Sequence, residues 1–335
     1  MAVHDFHAIF SDFQKMKVIV IGDVMIDSYI LGRVDRISPE APVPVVTVEK
    51  RYDRLGGAAN VALNIKALGA EPLLYSVIGV DEKGSLFRKM IEDEGISGSG
   101  IISCNTRITT SKSRILGNNF QMLRVDEEVT DDLTPENEER LLNTLSEAIL
   151  KGNVNAIILQ DYNKGVLTPK VIHETLSLAA SRNVPVAVDP KKKNFLLYRN
   201  ADLFKPNLKE LRDGLGLEMA AAEADQLKQA SEWLHNRQGI KTVLVTLSER
   251  GVFISRKNGD EPFEQMIMPA YVRKISDVSG AGDTVISVAA LALAAGLEPG
   301  LLAGLANLAG GLVCEEVGVH PVNRARLLSE ARLLL

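Results

Sequence analysis

The sequence predicts a three-layer α/β/α sandwich on a mostly parallel central sheet, with a small β lid beside it. Three observations carry this. Short β-rich runs alternate with amphipathic helical stretches, the order expected of helices packed on a parallel sheet. Several of the runs are nearly continuous in Val, Ile and Leu, which suits strands buried on both faces. Two stretches, 28–52 and 106–126, break the alternation and read as β material with no helix following.

In chain order, strands are expected at Lys17–Gly22, Leu73–Gly79, Ala156–Asp161, Val184–Asp189, Asp202–Lys205 and Thr242–Leu247. Helices are expected at Ala58–Leu68, Pro135–Lys151, Pro169–Ser181 and Ala224–Arg237. Thr134-Pro135 and Thr168-Pro169 place a capping residue before a first-turn proline. Gly69 and Gly296 stand where helices end on a left-handed residue. The segment 28–52 has strand-like pieces punctuated by Pro39, Pro42 and Pro44. The segment 106–126 reads as a hairpin turning at Gly117-Asn118-Asn119. Both are taken as a lid on a single domain spanning 1–335. No internal repeat or low-complexity segment stands out.

The 335 residues are 46% hydrophobic and 24% charged, an ordinary globular composition. The net charge of −5 gives no general footprint for nucleic acid. The two cysteines, Cys104 and Cys314, match no zinc spacing and are expected to be reduced and buried. Asp5 and Asp12 interrupt the amino terminus, so it does not read as a signal peptide. The longest apolar stretch, around Val285–Ala295, is too short to span a bilayer. A cytoplasmic protein with no membrane partner is expected.

The most informative segment is Ser276–Gly296. A glycine-rich turn, Asp277–Gly282, runs into a helical stretch, Asp283–Ala295. Small residues let backbone N–H groups converge, and a helix amino terminus adds positive partial charge. The result is a cradle for phosphate or for the charge of phosphoryl transfer. Asp283 lies in the first turn. Taken alone, an acid there is a helix-dipole partner. Beside an anion site, it can also accept the proton of a hydroxyl attacking phosphorus. No Gly-x-x-x-x-Gly-Lys-Ser/Thr loop occurs.

Leu55-Gly56-Gly57-Ala58-Ala59-Asn60-Val61-Ala62 is a second glycine turn leading into a helix. Asn60 and Asn64 share a face and carry amides that suit sugar hydroxyls. Together, Asp-x-x-Gly-Ala-Gly-Asp at 277–283 and Gly-Gly-x-x-Asn at 56–60 resemble the two signatures of the ribokinase-like (PfkB) carbohydrate kinases, in the family's order. That resemblance, which covers the chain from about Lys17 onward, implies a ribokinase-like fold and ATP-dependent phosphorylation of a sugar. It assigns Asp283 as base and Gly280, Ala281 and Gly282 as anion hole. It places Gly56, Gly57 and Asn60 against the sugar. It also implies a sugar contact from Asp23 or Asp27, which follow the first strand. Such a strand end is where ligands sit in open α/β sheets.

On the nucleotide side, Asn207-Leu208-Lys209-Glu210 resembles the family's Asn-x-x-Glu, which acts on the Mg²⁺–phosphate region. Asn207 and Glu210 are therefore assigned indirect contact with the metal of Mg·ATP. Thr246-Leu247-Ser248-Glu249-Arg250-Gly251 resembles Thr-Leu-Gly-x-x-Gly, with Ser248 in place of the usual glycine. Thr246, Ser248, Gly251 and Asn307 are placed around ATP. The family often binds a monovalent cation such as K⁺ near the carboxyl-terminal loop, which points to Asp277.

Three further features resemble the heptose 7-phosphate kinases within this family: the proline spacing of Arg36–Val45, Asp189-Pro190-Lys191, and Arg124-Val125-Asp126. The implied substrate is D-glycero-β-D-manno-heptose 7-phosphate, phosphorylated at C1 for lipopolysaccharide precursor synthesis. A phosphorylated substrate calls for cations, and Arg107, Lys112, Arg114, Arg124 and Lys191 are candidates. Asp126 either accepts a sugar hydroxyl or pairs with Arg124. Kinases of this kind are often fused to an adenylyltransferase. No His-x-Gly-His occurs, so a stand-alone kinase or an isolated kinase domain is expected. The alternatives are a kinase of the same family acting on ribose, fructose, a hexose phosphate or a nucleoside, or a non-catalytic sugar or nucleotide sensor. A homodimer is expected through the lid, whose edge strands pair readily.

Overall fold

The computed structural model describes residues 4–118, 120–217, 223–259 and 261–335. The strands are β1 (Lys17–Gly22), β2 (Val24–Ile37), β3 (Pro44–Gly57), β4 (Glu71–Gly79), β5 (Gly100–Cys104), β6 (Ser111–Gly117), β7 (Phe120–Glu127), β8 (Ala156–Gln160), β9 (Val186–Asp189), β10 (Leu203–Phe204), β11 (Thr242–Thr246), β12 (Val252–Arg256) and β13 (Glu264–Met268). The α-helices are α1 (Phe6–Phe13), α2 (Ala58–Ala67), α3 (Glu82–Asp93), α4 (Pro135–Lys151), α5 (Pro169–Ser181), α6 (Leu208–Leu215), α7 (Ala224–Trp233), α8 (Ala281–Ala294), α9 (Pro299–Val313) and α10 (Arg324–Leu334).

Nine strands form the main sheet in the order β13-β12-β11-β10-β9-β8-β1-β4-β5. β5 to β11 pair in parallel, and β12 and β13 close one edge antiparallel. Strand alternation divides the core into two layers. Val18 and Val20 of β1 pack into a cluster with side chains of α1, α2, α8, α9 and α10. Ile19 and Ile21 face the opposite cluster, with α4, α5, α6 and α7. This is the expected three-layer α/β/α arrangement.

Several expected boundaries shift. The strand at 202–205 is only Leu203–Phe204. The helix begun at Ala224 leaves α geometry after Trp233 and continues as a π turn to Gln238. Thr168 caps α5 through its side chain, accepting from Val171 N–H at 3.1 Å. Thr134 makes no such cap, and its hydroxyl instead accepts from Asn137 Nδ2 at 2.9 Å.

The two irregular segments form regular strands despite the prolines of the first. β3-β2-β6-β7 form a separate four-stranded sheet, with β2 and β6 parallel. β2 begins two residues after β1, and β3 leads straight into α2, so a helix does follow the first segment. Gly117 and Asn118 lie at the β6–β7 connection, with Asn118 at φ 53°. Asn119 lies outside the described residues. β7 is exposed along its whole length.

Candidate active site

Asp283 lies at the third position of α8, whose cap, Gly280, has φ 80°. That left-handed value favours glycine, and a side chain there would press on Asn60 and Val319. Gly280 thus makes the tight turn, and the helix expected from Asp283 begins two residues earlier, with Ala281 and Gly282 in its first turn. Asp283 is only 4% exposed. Its Oδ2 accepts from Asn60 Nδ2 at 2.7 Å. Its Oδ1 accepts from Gln160 Nε2 at 3.1 Å and from the Tyr162 hydroxyl at 2.7 Å. Burial pushes its pKa up to about 6, against the pull of the Asn60 and Tyr162 donors.

The network continues beneath the turn. Gln160 also donates to Asp189 Oδ2 at 3.1 Å, and that oxygen pairs with Lys205 Nζ at 3.0 Å. The pair is almost fully buried, and Lys205 Nζ lies 3.6 Å from where a side chain on Gly282 would begin. A fixed cation therefore stands beside the helix amino terminus. Asp189 Oδ1 and Gln160 Oε1 are buried without a hydrogen bond among the described residues. Lys191 pairs with Glu210 and lies 5.3 Å from the Tyr162 ring centre.

The residues expected against the sugar divide. Asp23 does not point at open space: its carboxylate accepts from the backbone N–H groups of Tyr162, Lys164 and Val166 at 2.8–3.1 Å. Burial, and then the nearby Asp161 charge, push its pKa to about 6. It clamps the loop after β8. Asp27 pairs with Arg114 at 2.5 Å. Gly56 and Gly57 let β3 cross against Asp27 and the Asp23 carbonyl, where a side chain would collide. Asn60 holds Asp283. Asn64 is buried, donating to Asn60 O and accepting from the Thr284 hydroxyl and the Val322 N–H, so it is structural. Arg107 is bound to the carbonyls of Lys164 and Val129.

Register places the small sheet's charged residues on one face. Arg54, Asp27, Lys112 and Asp126 form one row, and Tyr52, Tyr29, Arg114 and Arg124 the next. Tyr29 and Tyr52 stack at 4.9 Å, with Arg54 over both rings and Arg114 over Tyr29. Arg54 also donates to Val319 O. Arg124 and Asp126 pair with each other, and Lys112 reaches Asp126 at 3.0 Å.

On the other side, Asn207 and Glu210 form a capping box at the start of α6, each side chain bonding the other's backbone N–H at 2.8 Å. Thr246 bridges to Asn207. Ser248 has φ 56° and Gly251 φ 88°, which explains the usual glycine at the first position. Asn307 donates to Pro269 O at 2.9 Å, beside Gly251. Asp277 accepts from Ser279 N–H and Gly318 N–H, tying two loops together.

Sequence reasoning missed Tyr162, Gln160, Lys205 and Arg54. Gln160 and Tyr162 flank the end of a predicted strand, and Lys205 ends another. Strand-end position is the signal that could have found them.

A sheet with a buried acid at a helix amino terminus, a fixed lysine beneath it and a second small sheet defines a class. Residues 15–325 match the pfkB family carbohydrate kinases, and the chain belongs to that family: it is a kinase. Similar relatives are the bifunctional protein HldE of Geobacter sulfurreducens, 37% identical over 96% of this chain and 64% of its own length, and that of Caulobacter vibrioides, 41% identical over 94% and 63%. The chain thus spans less than two thirds of these relatives. Among solved structures, phosphofructokinase-2 from Escherichia coli with substrates and products has a TM-score of 0.75 at 17% identity, covering 96% of this chain and 99% of that one. Arabidopsis thaliana ribokinase with ribose and ATP has 0.68 at 19%, covering 93% and 98%. These structures share the fold.

Proposed function

We propose that the protein transfers the γ-phosphoryl group of ATP to the C1 hydroxyl of D-glycero-β-D-manno-heptose 7-phosphate. The observation that carries the chemistry is Asp283, buried at the start of α8 beside the Gly280–Gly282 turn and the Asp189–Lys205 pair. The heptose assignment is supported by the HldE relatives and by the resemblance of Arg36–Val45, Asp189-Pro190-Lys191 and Arg124-Val125-Asp126 to heptose 7-phosphate kinases.

Asp283 takes the proton of the attacking hydroxyl, Asn60 and Gln160 hold its carboxylate in place, and the Gly280–Gly282 amides with Lys205 stabilise the equatorial oxygens. Lys191 and Lys205 suit a triphosphate, and the oxygens of Glu210, Asn207 and Asp189 suit water molecules around a magnesium ion. When bound, Mg²⁺ neutralises charge on the β- and γ-phosphates. Thr246, Ser248, Gly251 and Asn307 border the nucleotide. Asp277 and its loop are the place for a monovalent cation. The small sheet acts as a lid, with Arg54, Lys112, Arg114 and Arg124 drawing the 7-phosphate to its aromatic face. Phe120, Leu123 and Val125 on the exposed edge strand support a homodimer through the lid, which sedimentation velocity tests. Among the described residues no helix is long and apolar enough to cross a membrane.

The decisive experiment incubates the protein with Mg·ATP and a panel of sugars and sugar phosphates, and identifies the product. C1 phosphorylation of heptose 7-phosphate is expected. Good turnover of another sugar with none of the heptose overturns the substrate and leaves the family intact.

A further inference from the structure

A base that must reach an outside hydroxyl is 4% exposed, and the residue over it is itself only half-buried. Tyr162 places its hydroxyl 2.7 Å from Asp283 Oδ1. The same hydroxyl lies within the field of Asp189 and Asp27. Lys191 covers the ring. The loop that carries Tyr162 is held by the three backbone bonds to Asp23 and passes through left-handed residues at Asn163 (φ 54°) and Gly165 (φ 85°).

Resting on the assignment of Asp283 as base, we infer that Tyr162 is a placeholder: its hydroxyl occupies Asp283 Oδ1 in the free enzyme and the substrate hydroxyl displaces it. The exchange is one O–H···O⁻ bond for another, with no net change in proton count. Gln160 and Asn60 keep their bonds to the carboxylate, so it does not rotate when the tyrosine leaves. Before the sugar binds, the ring keeps water from the base, which protects bound ATP from hydrolysis. Three charged side chains bear on Asp283: Asp189, Lys205 and Lys191. All three remain in a Tyr162 variant, so a change in its titration reads the lost hydroxyl.

Two arms test this. With Mg·ATP alone, Tyr162→Ala should release ADP about tenfold faster than the parent, a part of the roughly 10²–10⁴-fold that a positioned base contributes, while Tyr162→Phe, which keeps the ring, controls for folding. A parent-like rate in a folded Tyr162→Ala overturns the inference without any sugar. With heptose 7-phosphate, Tyr162→Phe should move the acid limb of kcat/KM up by about one pH unit, the loss of one hydrogen bond to a charged group. The acid limb of kcat should stay, because the tyrosine has already left in the complex. Movement of both limbs, or of neither, overturns displacement. Asp283→Asn run beside it separates the two readings: if that variant keeps near-normal turnover, the base assignment has failed rather than the placeholder.

Discussion

Replacing Asp283 with Asn should abolish most turnover, largely preserve ATP binding and make the protein more stable at neutral pH. Burial raises the Asp283 carboxyl from 3.8 to about 6. That rise corresponds to about 3 kcal/mol by which the ionised group opposes folding. The folded state holds the proton more tightly than the unfolded chain. The penalty is therefore absent below about pH 4, grows as pH rises, and is complete above about pH 6. Asparagine removes the charge but is a poorer partner. Its Nδ2 would face one of the donors Asn60, Gln160 or Tyr162, which offsets about 1–2 kcal/mol. A net gain of about 1–2 kcal/mol at pH 7.5 remains. Urea unfolding of parent and variant at pH 7.5 and pH 5 reads it, and the gain should vanish or reverse at the lower pH. Asp23 titrates in the same window but is present in both proteins, so it cancels in the difference. A stability difference that is the same at both pH values refutes the reasoning.

Two other outcomes follow from single contacts. Lys205→Met leaves Asp189 buried with Gln160 as its remaining partner and should destabilise the fold by about 3–5 kcal/mol. Urea denaturation measures this, and Lys205→Met with Asp189→Leu should recover most of the loss; a cost below about 1 kcal/mol for the single variant contradicts a buried pair. Ser248→Gly relieves a left-handed serine and should stabilise by about 0.5–1 kcal/mol, with any loss of stability counting against the φ of 56°.

The main sheet was legible because its strands are buried on both faces and so read as continuous apolar runs. α8 and α9 were harder. Both are buried around most of their surface, so they show little amphipathic contrast, and only the glycine turn betrayed α8. α1 could have been found from Phe6, Phe10 and Phe13 at helical spacing after the Asp5 cap. In the site, the glycine signatures are local and were readable. Roles were not. Asp23 looks like any acid after a strand until three N–H groups, 139 to 143 residues away, converge on it. Asn60 and Tyr162 meet Asp283 across separations of 223 and 121 residues, and nothing near either in sequence encodes that meeting. Arg54 joined the aromatic face only once strand register was known.

β2 and β3 have a mechanical consequence. Each is 14 residues long, and they pair from Val24–Gly57 at the main sheet to Ile37–Pro44 at the far end. The near ends carry Asp27 and Gly56 and are locked under α2. The ladder loses its regular register only farther out, at Leu31/Gly32 and Val34/Arg36. The ribbon is thus a lever clamped at its short arm, with its give concentrated beyond the fulcrum. Bending at those irregularities would move the tip while Asp27 and Gly56 stay in place. Insertions at the tip should therefore change its reach without retuning the chemistry at its root.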